Sequence, residues 1–282
     1  MKISKQVQTS LLACGLLFLI LDSKTVLDGA KDGVALCIEV ITPSLLPYFI
    51  LTNLLTSSIG GKHTFLAVGL LGGYPAGAQS IHTAYRQNRL TKNQAETLLT
   101  YCNHAGPAFI FGIMSHLFSK NYISWIIWAV HLLSALFVFL LFHQKIADNQ
   151  QQNIPAKSYT LTDHLLKSLR SMALVCCWII LFRIALNILD ARVLYNTNPY
   201  IKTTLAGLLE LSNGCYNLRS VPSEQIRFIL CSTFIGFGGI CVTFQTASVT
   251  GDLSIKKYLS AKLIQGIFST ILSFLLSTVL FR

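Results

Sequence analysis

The chain has 282 residues, 52% of them hydrophobic and only 12% charged. A soluble domain carries about 25% charged residues, so the composition sets aside soluble enzymes and binding modules and indicates a polytopic membrane protein. The formal net charge is +11. In a membrane protein Lys and Arg gather in cytoplasmic loops, and no basic stretch interleaved with aromatics offers a nucleic-acid face.

The first apolar segment, 6–21, follows Lys2 and Lys5 and has the shape of a signal peptide. Asp22-Ser23-Lys24 stands where small cleavage-site residues would, so 1–30 is read as a retained transmembrane helix. Segment 33–58 is long enough to span. Segment 64–73 is too short, since a spanning helix needs about 20 residues. It ends in Gly72-Gly73-Tyr74-Pro75-Ala76-Gly77-Ala78 and is followed by the polar stretch 78–86, which predicts a re-entrant hairpin. Segment 94–118 could span but is cut at Asn103-His104-Ala105-Gly106-Pro107. Segment 122–142 spans. A polar linker at 146–162, rich in Gln, Asn and Lys, then connects to a second series. There 171–189 spans, and 200–211 is short and ends at Glu210-Leu211-Ser212-Asn213-Gly214. Segment 225–249 is cut at Gly236-Phe237-Gly238-Gly239, and 258–281 spans. Thr91 and Ser223 are N-cap residues for the two cut helices.

These series predict two repeats, 31–145 and 163–282, at an offset of 132 residues that pairs Thr91 with Ser223, Gly106 with Gly238 and Ser80 with Ser212. Each repeat crosses three times, so the second copy is inverted. The expected fold is an all-α polytopic membrane protein, an inverted repeat with re-entrant hairpins and broken helices. The larger share of Lys and Arg, including Lys256, Lys257 and Lys262, then falls on the side of the N-terminus, which is expected in the cytoplasm.

A helix has no reason to break in lipid unless the freed backbone groups find partners, and paired breaks in two halves mark a transporter binding site. Half-helix N-termini favour anions and C-termini favour cations. The first cut helix restarts at Pro107 beside Asn103, His104 and Gly106. The second exposes backbone at Gly238, with Thr243 and Gln245 a turn on. The hairpin tips bring Tyr74, Gln79 and Ser80, and Glu210, Ser212 and Asn213. These polar side chains either orient a solute or cap the broken helices, and both roles are compatible. Arg183, inside an apolar segment, either snorkels to the surface or opposes an anionic solute. Glu210 is a coupling-ion or proton site, or a partner for Arg183. His104 shuttles protons or packs. The eight cysteines lack metal-ligand spacing and read as small buried hydrophobes. No nucleophile–base motif is present, and an enzyme is not expected.

Pro43-Ser44-Leu45-Leu46-Pro47-Tyr48-Phe49, Gly73–Ala78, Cys102-Asn103-His104-Ala105-Gly106-Pro107-Ala108-Phe109 and Gly236–Gly239 resemble the sporulation integral membrane proteins of the YlbJ type, within the wider nucleoside-recognition gate group. The resemblance runs over about 30–280. It implies a fold similar to concentrative nucleoside transporters, and transport of a small solute across the bacterial cytoplasmic membrane during spore maturation, dipicolinate being the solute associated with that type. It also implies Tyr74, Gln79, Asn103, Gly106, Ser212 and Asn213 as site positions. The expectation is therefore a secondary transporter for an anionic aromatic or nucleoside-like solute, embedded in the lipid bilayer. It would have no cofactor beyond a coupling proton or sodium ion, and homo-oligomerisation is left open. A non-transporting scaffold or sensor and a metal permease of the gate type are the alternatives.

Overall fold

The computed structural model describes residues 17, 19–58, 63–114, 117–143 and 160–281. Most of the first apolar segment and of the linker lies outside them. The described residues form helices and short connections, with no strand among them. Helix α1 (Ser23–Leu36) passes through one π-helical stretch (Cys37–Ile41) into α2 (Thr42–Ser58). Pro47 lies inside α2, where it removes a backbone donor and crowds the preceding turn. The helix expected at 33–58 thus begins at Ser23, and the boundary placed at residue 30 falls within a continuous helix.

The next elements are short. Helices α3 (His63–Leu71) and α4 (Ala76–Arg86) form a hairpin. At 1.5 Å per residue they reach only about 13 and 16 Å, roughly half of a ~30 Å hydrocarbon core. Helices α5 (Lys92–Tyr101) and α6 (Pro107–Met114) are separated by the non-helical Cys102–Gly106, and α7 (Tyr122–Phe142) follows. Helix α8 (Leu161–Arg192) opens the second series. A second hairpin, α9 (Pro199–Leu209) and α10 (Leu211–Asn217), turns at Glu210. Helices α11 (Glu224–Phe237) and α12 (Gly239–Thr250) meet at Gly238, and α13 (Lys256–Leu280) closes the described chain.

The start signals sit where the capping chemistry requires them. Thr91 accepts from the Gln94 backbone N–H while the Gln94 side chain accepts from Thr91 N–H, a reciprocal capping box. Ser223 accepts from Ile226 N–H at 3.3 Å. Asn198 caps α9, whose first residue is Pro199, a position where the missing N–H costs nothing.

Five described segments are long and apolar enough to cross a membrane: 23–54, 122–142, 161–192, 224–250 and 256–280. The chain is a multi-pass, all-helical membrane protein. The apolar window of 224–250 is 61% buried within the protein, against 28% for that of 256–280, so the split helix α11–α12 lies at the centre. Helix α13 packs on α11 and α7, with Phe268 stacked on Phe137 at 4.3 Å. Helix α8 packs on α1 through Gly29 and Gly33. A Cβ on either would approach the α8 backbone within 2.9 Å of Ile184 Cα or 3.0 Å of Ile180 Cα. Small residues four apart let two backbones touch in this way.

The two series are linked at one end. The Tyr85 hydroxyl on α4 donates to Asp252 in the α12–α13 turn at 3.0 Å, and that bond holds the Asp252 carboxyl below its usual range. Ser254 N–H donates to Glu96 of α5 at 2.9 Å.

Two details differ from the expected repeat. The breaks in the second series are narrower: Ser212, Asn213 and Gly214 are helical, and Gly238 alone separates α11 from α12. The register also shifts. Gly106 and Gly238 keep the offset of 132, but the hairpin glycines that pack alike, Gly69 and Gly77 against Gly207 and Gly214, lie 138 and 137 apart. Ser80, paired with Ser212 by the constant offset, instead bonds Gly77 O within α4.

Candidate functional site

The four breaks meet. Gly73 has φ +71°, a left-handed conformation that favours glycine. It presses on Gly106: a Cβ on Gly106 would lie 3.0 Å from Gly73 N. Gly238, at φ +86°, faces the Tyr74 hydroxyl, and Gly239 faces Leu211 N. The first hairpin tip thus touches both split helices, and the second tip touches α12. A cavity at this junction has an open volume of about 30 Å³ and is lined by Tyr74, Gly106, Glu210, Ser212 and Gln245 among apolar neighbours. A volume of 10–15 Å³ admits about one water, so the space holds roughly two.

Glu210 dominates the second tip. It is 1% exposed. Its Oε1 accepts from Ser212 N–H at 2.9 Å, and its Oε2 accepts from Asn213 N–H at 2.6 Å and Asn213 Nδ2 at 2.7 Å. A carboxylate at a helix start satisfies the orphan donors and complements the dipole. Glu210 therefore caps α10 and borders the cavity at once.

Arg183 is not its partner. Arg183 NH2 donates to Asp32 Oδ2 of α1 at 2.8 Å, and NH1 donates to Asn213 Oδ1 at 3.3 Å. Asp32 supplies the counter-charge, so Arg183 braces α1, α8 and the second tip. Asp32 is 51% exposed, and pairs at such exposure contribute little. A double-mutant cycle of Arg183→Met and Asp32→Asn, read by thermal unfolding in detergent, is expected to give a coupling of about 0.5–1 kcal/mol. A value near zero would show the ion pair contributes nothing.

Asn103 works as a cross-brace behind the first tip. Its Oδ1 accepts from Ala78 N–H of α4 at 3.3 Å, and its Nδ2 donates to Thr246 of α12 at 2.9 Å and to the Tyr258 hydroxyl of α13 at 3.3 Å. Gln79 accepts from Ser171 of α8 at 2.9 Å and does not line the cavity. Gln245 does; its Nε2 donates to Cys241 Sγ at 3.4 Å. Tyr74 is 7% exposed, and its hydroxyl has no hydrogen-bond partner among the described residues.

The largest surprise is Lys262. The charge balance counts it with Lys256 and Lys257 on the cytoplasmic side, but it lies about 9 Å along α13 from the helix start and is 0% exposed. Its Nζ donates to Gln265 Oε1 at 2.8 Å, contacts His104 Nδ1 at 3.3 Å, and lies over the rings of Tyr74 at 5.1 Å and Tyr258 at 5.8 Å from their centroids. Among the described residues none of the ion pairs includes it. The ring of His131 on α7 stands 5.7 Å from that of His104. An ionisable residue inside a membrane is by default functional, and only a helix-face reading of 256–280 could have singled it out. Among the described residues no group of three or more His, Cys, Asp or Glu is placed to hold a metal.

A buried polar centre, built where two hairpin tips meet two split helices, defines a class: polytopic helical membrane proteins with interrupted helices at their core. No family model matches the chain, and no solved structure matches it. A curated relative is the sporulation integral membrane protein YlbJ of Bacillus subtilis (strain 168). It is 25% identical over an alignment of 346 residues that covers 98% of this chain and 84% of the relative. That similarity supports the YlbJ-type resemblance along nearly the whole chain.

Proposed function

We propose that the protein is a secondary transporter that moves a small polar solute, an anionic aromatic such as dipicolinate or a nucleoside-like molecule, across the bacterial cytoplasmic membrane. The observation that carries this reading is the convergence of both hairpin tips and both split helices on one cavity lined by Tyr74, Gly106, Glu210, Ser212 and Gln245. Unpaired backbone and polar side chains at membrane depth are tolerated where they are buried in protein or face a water-filled cavity, and interrupted helices are where secondary transporters hold solutes. A cavity of about 30 Å³ is far below the ~300 Å³ of an ordinary ligand site. The tips must therefore part to admit a solute, which is the motion alternating access requires. The inverted arrangement of 31–145 and 163–282 and a cytoplasmic N-terminus belong to the same reading. So does a role in sporulation, which is what the relative's name states of that protein.

Tyr74→Phe is the sharpest test, because it removes a hydroxyl that bonds nothing among the described residues. Full-length protein in proteoliposomes, offered labelled dipicolinate or uridine, is expected to lose about tenfold in uptake with Tyr74→Phe or Gln245→Leu, at unchanged detergent melting temperature. Uptake equal to wild type in both variants, or complementation of a sporulating strain lacking its own YlbJ by both, would sink the central-site reading.

A further inference from the structure

We infer that Lys262 and His104 form a one-proton site, and that the coupling ion of the transport reading, on which this inference rests, is a proton and not sodium. The geometry fixes which atoms carry hydrogen. His104 Nε2 lies 2.9 Å from Tyr101 O. A carbonyl only accepts, so Nε2 bears the hydrogen and Nδ1 presents its lone pair. Lys262 Nζ faces that lone pair, the Gln265 carbonyl oxygen and the faces of Tyr74 and Tyr258. All four favour an ammonium. His104 cannot also be charged, because two cations 3.3 Å apart repel in a medium of low dielectric. The pair holds one excess proton, which can pass from Lys262 Nζ to His104 Nδ1 and leave Lys262 as a neutral amine.

The other groups at this level do not change the sign. His131 from α7 faces His104, Tyr101 of α5 offers its carbonyl, Tyr258 bonds Asn103, and α11 presents Gly236 and Phe237. Among the described residues no carboxylate is within ion-pair distance of Lys262, so nothing there offsets the ammonium, which would repel a sodium ion. Lys262 is wholly buried, and a proton is the one cation that needs no space. The site is also wired to both moving parts: His104 is in the first break, and Lys262 stands over Tyr74, whose hydroxyl faces the second break at Gly238. Parting of the first tip would uncover the ammonium and let its proton exchange.

Two measurements test this. In proteoliposomes holding a pH-sensitive dye, dipicolinate or uridine added to wild type should drive proton movement. K262Q, or K262M where K262Q does not purify, should lose at least tenfold of that proton flux while still exchanging labelled probe across the membrane. Equal proton flux in the variant, or wild-type uptake driven by a sodium gradient without proton movement, overturns the inference and leaves transport standing. The second needs no solute. In detergent-purified protein labelled with 15N-histidine, the His104 signals, assigned by their absence from H104Q, should move in one step with pH, and the step should shift to a different pH in K262Q, where the cation that repels a charged His104 is gone. A His104 titration indifferent to K262Q overturns the proton site. If that titration behaves as expected but neither probe moves, the transport reading fails and the proton site remains.

Discussion

Glu210→Ala is expected to lower stability by about 2–4 kcal/mol, the largest loss among the polar residues of the centre. Three donors, the Ser212 and Asn213 N–H groups and Asn213 Nδ2, lose their acceptor at a buried site where the adjoining cavity has room for only about two waters. Each buried unsatisfied group costs about 1–3 kcal/mol, and loss of an N-cap alone costs about 0.5–2. Removing a buried charge returns part of its desolvation cost, which keeps the total below the simple sum. Asn213 is also a ligand of Arg183, so the damage spreads to the α1–α8 interface. Glu210→Gln keeps one accepting oxygen but turns an amide toward Asn213 Nδ2, so it should fall between wild type and alanine. Thermal unfolding of the three proteins in one detergent gives the order. If glutamine matches wild type, the native carboxyl is protonated; if alanine also matches, the capping account is wrong.

Much of this centre was legible in the chain because breaks in lipid are chemically conspicuous. Gly-Tyr-Pro and Asn-His-Ala-Gly-Pro inside apolar runs have no packing use on a continuous helix, and the structure interrupts its helices at both. Thr91 and Ser223 announced helix starts by residue type alone. The charge partners were not legible. Arg183 and Asp32 are 151 residues apart, and Lys262 and His104 are 158 apart. Lys262 lies inside the apolar segment 258–281 while Lys256 and Lys257 precede it, but its nearness to that segment's start makes it look interfacial. The offset of 132 holds at Gly106 and Gly238 but not in the hairpins, because α10 is shorter than α4, and an ungapped comparison cannot see that the hairpins match by their glycines and not by their polar residues. Gly29-Ala30-Lys31-Asp32-Gly33 was readable as a helix contact by spacing, but it sat across a boundary drawn at residue 30.

Those hairpin glycines carry the second large effect. Gly214→Ala is expected to prevent the second hairpin from closing, because the new methyl would overlap Gly207 Cα, an atom of the backbone that cannot swing aside. Gly207 is itself pressed against the Phe234 ring of α11, so α9 has no room to retreat. Gly77→Ala should act alike in the first hairpin, where the methyl would overlap the Cys102 carbonyl at the start of the first break. Overpacking costs about 1–3 kcal/mol where side chains can adjust. A clash between two backbones exceeds that range, and about 4 kcal/mol or more is expected. Gly112→Ala is the control: among the described residues its methyl would meet the Ser44 side chain, Cβ at 3.0 Å and Oγ at 3.6 Å, and a small side chain can yield. The expected outcome is that Gly214→Ala and Gly77→Ala leave little folded protein in detergent by size exclusion while Gly112→Ala purifies normally. Full yield and wild-type melting of Gly214→Ala would mean the hairpin arms stand farther apart than this fold requires. The tips would then not be held against the split helices tightly enough to close the cavity they share.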